Sequence, residues 1–117
     1  MHVNKFYGYQ EGQVLFKPTK ASNVQFRSTF NSAVSYFAGG DPEFPEDHGF
    51  ALQPWILVRF ENAGLILEEN SAYVMGNYYF TALDGKETKV EYTFGYFLSK
   101  EGKLKINIHH SSLPFNL

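Results

Sequence analysis

Cysteine is absent from the 117 residues, which removes disulfides, thiolate nucleophiles and Cys-ligated zinc together and points towards a cytoplasmic location. Charge of one sign is missing too. With 12 acidic and 10 basic residues the net charge is −2, and such a balance offers no electrostatic footprint to phosphate backbones or anionic lipid. No apolar run approaches the roughly 20 residues that span a bilayer. The start, Met1-His2-Val3-Asn4-Lys5, lacks the basic and apolar regions of a secretory signal. Neither nucleic acid nor a membrane is expected as partner. Catalytic and nucleotide-binding signatures are incomplete throughout; Gly39-Gly40, for example, has no preceding strand to make a phosphate loop.

What the chain has in excess is aromatic side chain: 12 Phe, 8 Tyr and 1 Trp. These residues favour pleated, half-buried surfaces. The length suits one domain, residues 1–117, able to bury about two thirds of its unfolded surface.

Val14 to Phe16 and Val24 to Arg27 read as short strands of a loose hairpin, separated by Pro18 and Ala21-Ser22-Asn23. Ser28 or Thr29 then caps a helix over Phe30 to Phe37, with Phe30, Val34 and Phe37 on one face and Gly39-Gly40 as its stop. Two prolines make Asp41 to Gly49 a surface loop. Four strands follow, Trp55 to Leu67, Ala72 to Thr81, Thr88 to Leu98 and Leu104 to Ser112, with Asp84-Gly85 and Lys100-Glu101-Gly102 as turns. Asn62-Ala63-Gly64 reads as a bulge, or alternatively as a turn at Glu61 to Gly64. Strict alternation puts Val90, Tyr92, Phe94, Tyr96 and Leu98 on one face. In the last strand it groups Leu104, Ile106, Ile108, His110 and Ser112 opposite Lys103, Lys105, Asn107, His109 and Ser111, so that His109 and His110 diverge. Apolar bulk on both faces requires cover that one short helix cannot supply. Strong curling of the sheet and a partner chain are both expected.

This order of elements, with Val58-Arg59-Phe60-Glu61-Asn62, Gly76-Asn77-Tyr78-Tyr79-Phe80 and the terminal Ile108-His109-His110-Ser111-Ser112-Leu113-Pro114, resembles the nuclear transport factor 2-like superfamily of cone-shaped α+β domains. Within it, the His-x-Ser ending after a Gly-Lys turn is most similar to the association (hub) domain of calcium/calmodulin-dependent protein kinase II and its bacterial SnoaL-like relatives, over roughly Val14 to Pro114. The resemblance implies an α+β fold: a strongly curved antiparallel sheet, a cone-like half barrel, with one or two short helices around an apolar pocket. It also implies homodimers or larger oligomers formed through the outer sheet face. Members of that superfamily open with two or more helices, whereas 13 residues precede Val14 here, with Val3 to Tyr9 as a helical remnant. A partner subunit covers the gap, or the chain is naturally short, or it is a fragment. The hub's pocket arginines align with Tyr78 and Gly95, so the same ligand is not implied.

Candidate site residues carry two readings each. His109 serves as general base, or only satisfies local hydrogen bonds at a strand end. Arg59 and Glu91 form a structural ion pair, with each other or with Arg27, or else face the interior, Arg59 orienting a carboxylate and Glu91 acting as a base with its pKa raised by burial. Tyr78, Tyr92 and Tyr96, with Ser111, donate to a ligand or a developing oxyanion, or simply pack. Glu43, Glu46, Asp47 and His48 have no metal-ligand spacing and read as a solvated cluster. No metal or cofactor is expected. The resulting expectation is a non-catalytic small-molecule-binding and homo-oligomerisation module for a small apolar or carboxylated ligand. Its alternative is a small cofactor-independent isomerase, dehydratase or cyclase working through Glu91 or His109 in the pocket.

Overall fold

The computed structural model describes residues 3–116. Its elements run α1 (Val3–Phe6), β1 (Leu15–Lys17), α2 (Phe30–Ala38), a short 3-10 turn (Phe50–Leu52), β2 (Trp55–Leu67), β3 (Ser71–Ala82), β4 (Glu87–Leu98) and β5 (Leu104–Ser112). The five strands form one sheet in the order β1-β5-β4-β3-β2. β2 to β5 are the antiparallel meander that the turn residues dictate, and the α+β class with a curved, unclosed sheet and short helices holds. No helix among the described residues is long and apolar enough to cross a membrane.

The hairpin expected near the N-terminus is not formed. β1 pairs in parallel with β5, Leu15 with Ile108 through Lys17 with His110, while Val24 to Arg27 is irregular and keeps only the bond from Arg27 N–H to the Phe16 carbonyl at 2.8 Å. Parallel pairing needs a long connection rather than a tight turn, and the rest of the chain supplies it.

α2 begins with a capping box. The Thr29 hydroxyl accepts from Ser32 N–H and the Ser32 hydroxyl accepts from Thr29 N–H, at 3.2 and 3.1 Å, a reciprocal arrangement that satisfies two otherwise orphaned donors. Gly39, at φ 71°, ends the helix, a backbone conformation that disfavours any Cβ. The helix lays Ala33 and Tyr36 onto the inner sheet face, where they join Val3, Tyr7, Val14, Phe16, Tyr78, Phe80, Val90, Tyr92, Phe94 and Ile106 in one core.

Two strand irregularities decide which side chains point inwards. In β2 the pairing slips at Ala63, beside Gly64 as expected of a bulge. In β5, Gly95 faces Ile108 and Tyr96 faces Ile106, so Asn107 is an extra residue. The alternation expected for β5 therefore breaks: Phe94 and Tyr96 share a face, and so must their partners His109 and Ile106. Ile106, His109 and Ser111 lie inside, Leu104 faces the same side at the exposed rim, and His110 is exposed on the outer side.

The loop from Asp41 to Gly49 is not merely solvated surface. Arg27, completely buried, makes paired bonds of 2.7 Å to both Asp47 carboxylate oxygens and donates to the Ser32 carbonyl at 2.9 Å. Ser35 also donates to Asp47, at 2.6 Å. Glu46 accepts from the N–H groups of Ser22, Asn23 and Val24 at 2.8 to 3.1 Å, which with the nearby Arg27 charge lowers its pKa from 4.5 to about 2. One ion cluster thus ties the segment after β1, α2 and the proline loop together.

Asp47→Asn would remove the paired carboxylate contact of the buried Arg27 and leave it only Glu46, at 3.5 Å, and should cost about 3 kcal/mol in chemical denaturation. Because the Glu46 carboxyl titrates lower folded than unfolded, its contribution is complete above pH 4.5 and is lost as pH falls towards about 2. Glu46→Gln should correspondingly flatten the acid limb of the stability curve between those values, as followed by circular dichroism.

Candidate active site

The inner face brings four polar side chains into one chain of hydrogen bonds. The Tyr7 hydroxyl lies 2.7 Å from His109 Nδ1, His109 Nε2 lies 2.8 Å from Ser111 Oγ, and Ser111 Oγ lies 2.5 Å from the Tyr78 hydroxyl. Each comes from a different structural cause. Tyr7 is fixed by the bond from its N–H to the Val3 carbonyl at 2.7 Å and by its bridge to Ile106. His109 and Ser111 are turned inwards by the Asn107 bulge. Tyr78 reaches over β4 from β3, and Thr19, just beyond β1, sits beside both Tyr78 and the Tyr36 phenol of α2.

The imidazole is clamped between rings. Its centroid lies 4.1 Å from that of Phe94 and 4.9 Å from that of Phe16, at interplanar angles of 27° and 15°. Burial in this apolar slot, and secondarily the neighbouring His110, lower the His109 pKa to about 3, because a charge there would lose its hydration. Burial likewise pushes the Tyr7 phenol well up and Tyr36 to about 12; it also raises Tyr78, against an opposing pull from Ser111 and Thr19. The cluster is therefore uncharged at neutral pH: hydroxyls and an imidazole, with several donors free to serve an oxygen-rich guest. Lys17 comes near the cluster, its ammonium donating to the Ser111 carbonyl at 3.0 Å.

Beside it runs an apolar groove of about 540 Å³, lined by Val3, Phe6, Tyr7, Phe37, Phe60, Phe94, Tyr96, Leu104 and Ile106. Tyr7 and Phe94 belong to both. Among the described residues, no three His, Cys, Asp or Glu side chains are grouped to hold a metal ion.

Of the residues singled out by sequence, Tyr78, His109 and Ser111 meet here and Tyr96 lines the groove. Tyr92 is inside but is engaged by Asn62, its hydroxyl donating to the amide oxygen; Gly76 permits that approach, since a Cβ there would meet the Tyr92 hydroxyl at 2.9 Å. Arg59 and Glu91 do not take part. They occupy the outer face, Arg59 pairing with Glu87 at 3.7 Å and stacking on Tyr79, and Glu91 accepting from Ser112 at 3.4 Å. Neither the interior pair nor an ion pair between them or with Arg27 is formed, because the β2–β3 register puts Arg59, and the β3–β4 register Glu91, on the solvent side. Sequence reasoning missed Tyr7, Thr19 and Tyr36. Tyr36 carried a signal, as it falls three residues after Ala33 on the buried side of α2; Tyr7 and Thr19, in irregular segments, carried none.

A family model described as metal-independent carbonic anhydrase matches residues 1–113. A protein of Nostoc sp. (strain PCC 7120 / SAG 25.82 / UTEX 2576), described in the same words, is 46% identical over 114 residues, 97% of this chain and 56% of that protein. The chain thus spans little more than half the length of that relative. Among solved structures, the iota-carbonic anhydrase from a cyanobacterium complexed with bicarbonate superposes with a TM-score of 0.93 at 46% identity, covering 98% of this chain and 71% of that one. A putative calcium/calmodulin-dependent protein kinase II association domain from Xanthomonas campestris superposes at 0.66 with 26% identity, covering 97% and 72%. The hub-like architecture inferred from the terminal strands is thereby supported. The expectation of a non-catalytic module is overturned, since the match over nearly the whole chain is to enzymes; the pocket-enzyme alternative, dehydratases included, agrees better with it. By the extent of that match and the identity to its members, the chain belongs to the metal-independent carbonic anhydrase family.

Proposed function

We propose that this chain hydrates carbon dioxide reversibly to bicarbonate at the cluster of Thr19, Tyr36, Tyr78, His109 and Ser111. The observation that carries the reading is a buried set of uncharged donors beside an apolar groove, in a fold at 0.93 TM-score to a relative that holds bicarbonate. Carbon dioxide is apolar and uncharged, which suits aromatic walls; its product is an anion rich in oxygen, which suits converging hydroxyls. In the forward step a water oxygen bonds to carbon, one C=O pair shifts onto oxygen, and the water proton leaves to solvent. The Tyr78 hydroxyl, itself hydrogen-bonded to Ser111, stabilises the negative charge that develops on the former carbon dioxide oxygens. An imidazole that stays neutral down to about pH 3 is a weak base, so His109 works as a hydrogen-bonding partner of Ser111 rather than as the proton acceptor.

Stopped-flow carbon dioxide hydration should detect activity in the wild-type chain, and dialysis against a strong chelator should leave it unchanged. Tyr78→Phe should lower kcat/KM by about 10²–10³-fold, the usual effect of removing one oxyanion donor, whereas Glu91→Gln should match wild type. Equal activity in Tyr78→Phe would refute this site.

We further infer that the chain self-associates through its outer sheet face. Ile66, Tyr73 and Met75 are exposed there side by side on β2 and β3, a larger apolar patch than isolated surface residues make, and the association-domain relative supports the reading. Met75→Glu should shift the mass measured by light scattering at micromolar concentration towards the monomer. A wild-type monomer under the same conditions would contradict the inference.

A further inference from the structure

We propose that Tyr7 is a positioning residue that donates its phenolic proton to His109 Nδ1, holds the imidazole as the Nε2–H tautomer, and so directs the Ser111 proton to the Tyr78 oxygen and the Tyr78 proton towards the bound guest. The inference rests on the reading of His109, Ser111 and Tyr78 as part of the reacting site, and assigns a role to a residue outside that cluster.

Its first support is hydrogen-bond accounting. Tyr7 is 7% exposed, and among the described residues its hydroxyl has one polar partner, His109 Nδ1 at 2.7 Å. The side of Tyr7 away from the histidine faces Val3, Phe6 and Phe37 in the apolar groove. If Nδ1 carried the proton, the Tyr7 oxygen would accept it and its own O–H would have no acceptor, a cost of about 1–3 kcal/mol for a buried donor. With Tyr7 as donor, every proton in the chain has a place. Nδ1 is then bare, and a neutral imidazole keeps its single N–H at Nε2, 2.8 Å from Ser111 Oγ.

Its second support is the clamp. A ring flip would exchange the nitrogens for carbons and offer C–H to Tyr7 and Ser111, and the close stacking of Phe94 and Phe16 on both ring faces holds the orientation. The direction fixed at one end then propagates. Ser111 Oγ accepts from Nε2–H, so its own proton turns to the Tyr78 oxygen at 2.5 Å, and the Tyr78 proton is left for Thr19 or for an oxyanion. The opposite polarity would spend the Tyr78 proton on Ser111 and remove a donor from the site. A residue that does not reach the guest thus decides whether the site offers donors or acceptors.

The test is the tautomer itself. In the ¹⁵N-histidine-labelled full chain at neutral pH, long-range ¹H–¹⁵N correlations, assigned against His109→Gln, should show a bare Nδ1 and a protonated Nε2 for His109. Tyr7→Phe keeps the ring and removes only the hydroxyl; it should shift the pattern towards protonated Nδ1 and weaken bicarbonate binding, followed by chemical-shift titration, about tenfold. A protonated Nδ1 in the wild type, or an unchanged tautomer in a folded Tyr7→Phe, would overturn the proposal. Should Tyr7→Phe not fold, the wild-type pattern decides alone. A wild-type chain inactive towards carbon dioxide that still shows Nε2–H would sink the functional reading and support this one.

Discussion

One extra residue in β5 governs the inner face. Because Asn107 has no cross-strand partner, the strand crosses from one side-chain phase to the other between Ile106 and Ile108. Upstream of it Leu104 and Ile106 face inwards; downstream His109 and Ser111 do. Without the bulge the same sequence would turn the imidazole and the serine to the outer face, leaving Tyr7 and Tyr78 without their polar partners. The bulge also sets the depth of the site, since Phe94 pairs directly with His109 and its ring lies flat against the imidazole.

The molecule buries two polar clusters and treats them in opposite ways. Around Arg27 the charges are retained and paired: the guanidinium donates to the Asp47 carboxylate and to the Val24 and Ser32 carbonyls, and Glu46 accepts from backbone N–H groups, so that the ions hold three segments in fixed relation. Around His109 charge is excluded: desolvation keeps the imidazole neutral and the phenols protonated. The first cluster stabilises only when complete. The second carries no net charge, which suits the apolar substrate proposed for it, and its hydroxyls supply the hydrogen bonds that the proposed anionic product would need. The two clusters communicate through the backbone, as the Tyr9 hydroxyl donates to the Arg27 carbonyl at 2.7 Å and stacks near Tyr7.

The strand pattern left its mark outside the site as well. Both faces were expected to carry more apolar surface than one helix can cover, and both do: Leu57, Ile66, Tyr73 and Met75 on the outer face, Phe60, Leu65 and Leu67 at the inner rim. Alternation revealed that excess correctly because it depends only on which residues are apolar. Register and bulges rearrange the faces without changing the total.

Local chemistry determined the elements. Period-two alternation, Asp84-Gly85, the Thr29 cap and Gly39 fix four antiparallel strands and α2 within a residue or two, since each signal acts over a few neighbouring residues. Long-range contact decided the rest. Whether Arg27 pairs with Asp47 or with Glu91, whether Leu15 to Lys17 joins a hairpin or lies parallel to β5, and whether Arg59 points inwards all depend on which segments meet after collapse. The site belongs to this second class. The proposed site contains no charged residue that a sequence would advertise, only neutral hydroxyls and one imidazole whose properties arise when a bulge, a helix and a bridge near the N-terminus bring them together away from water.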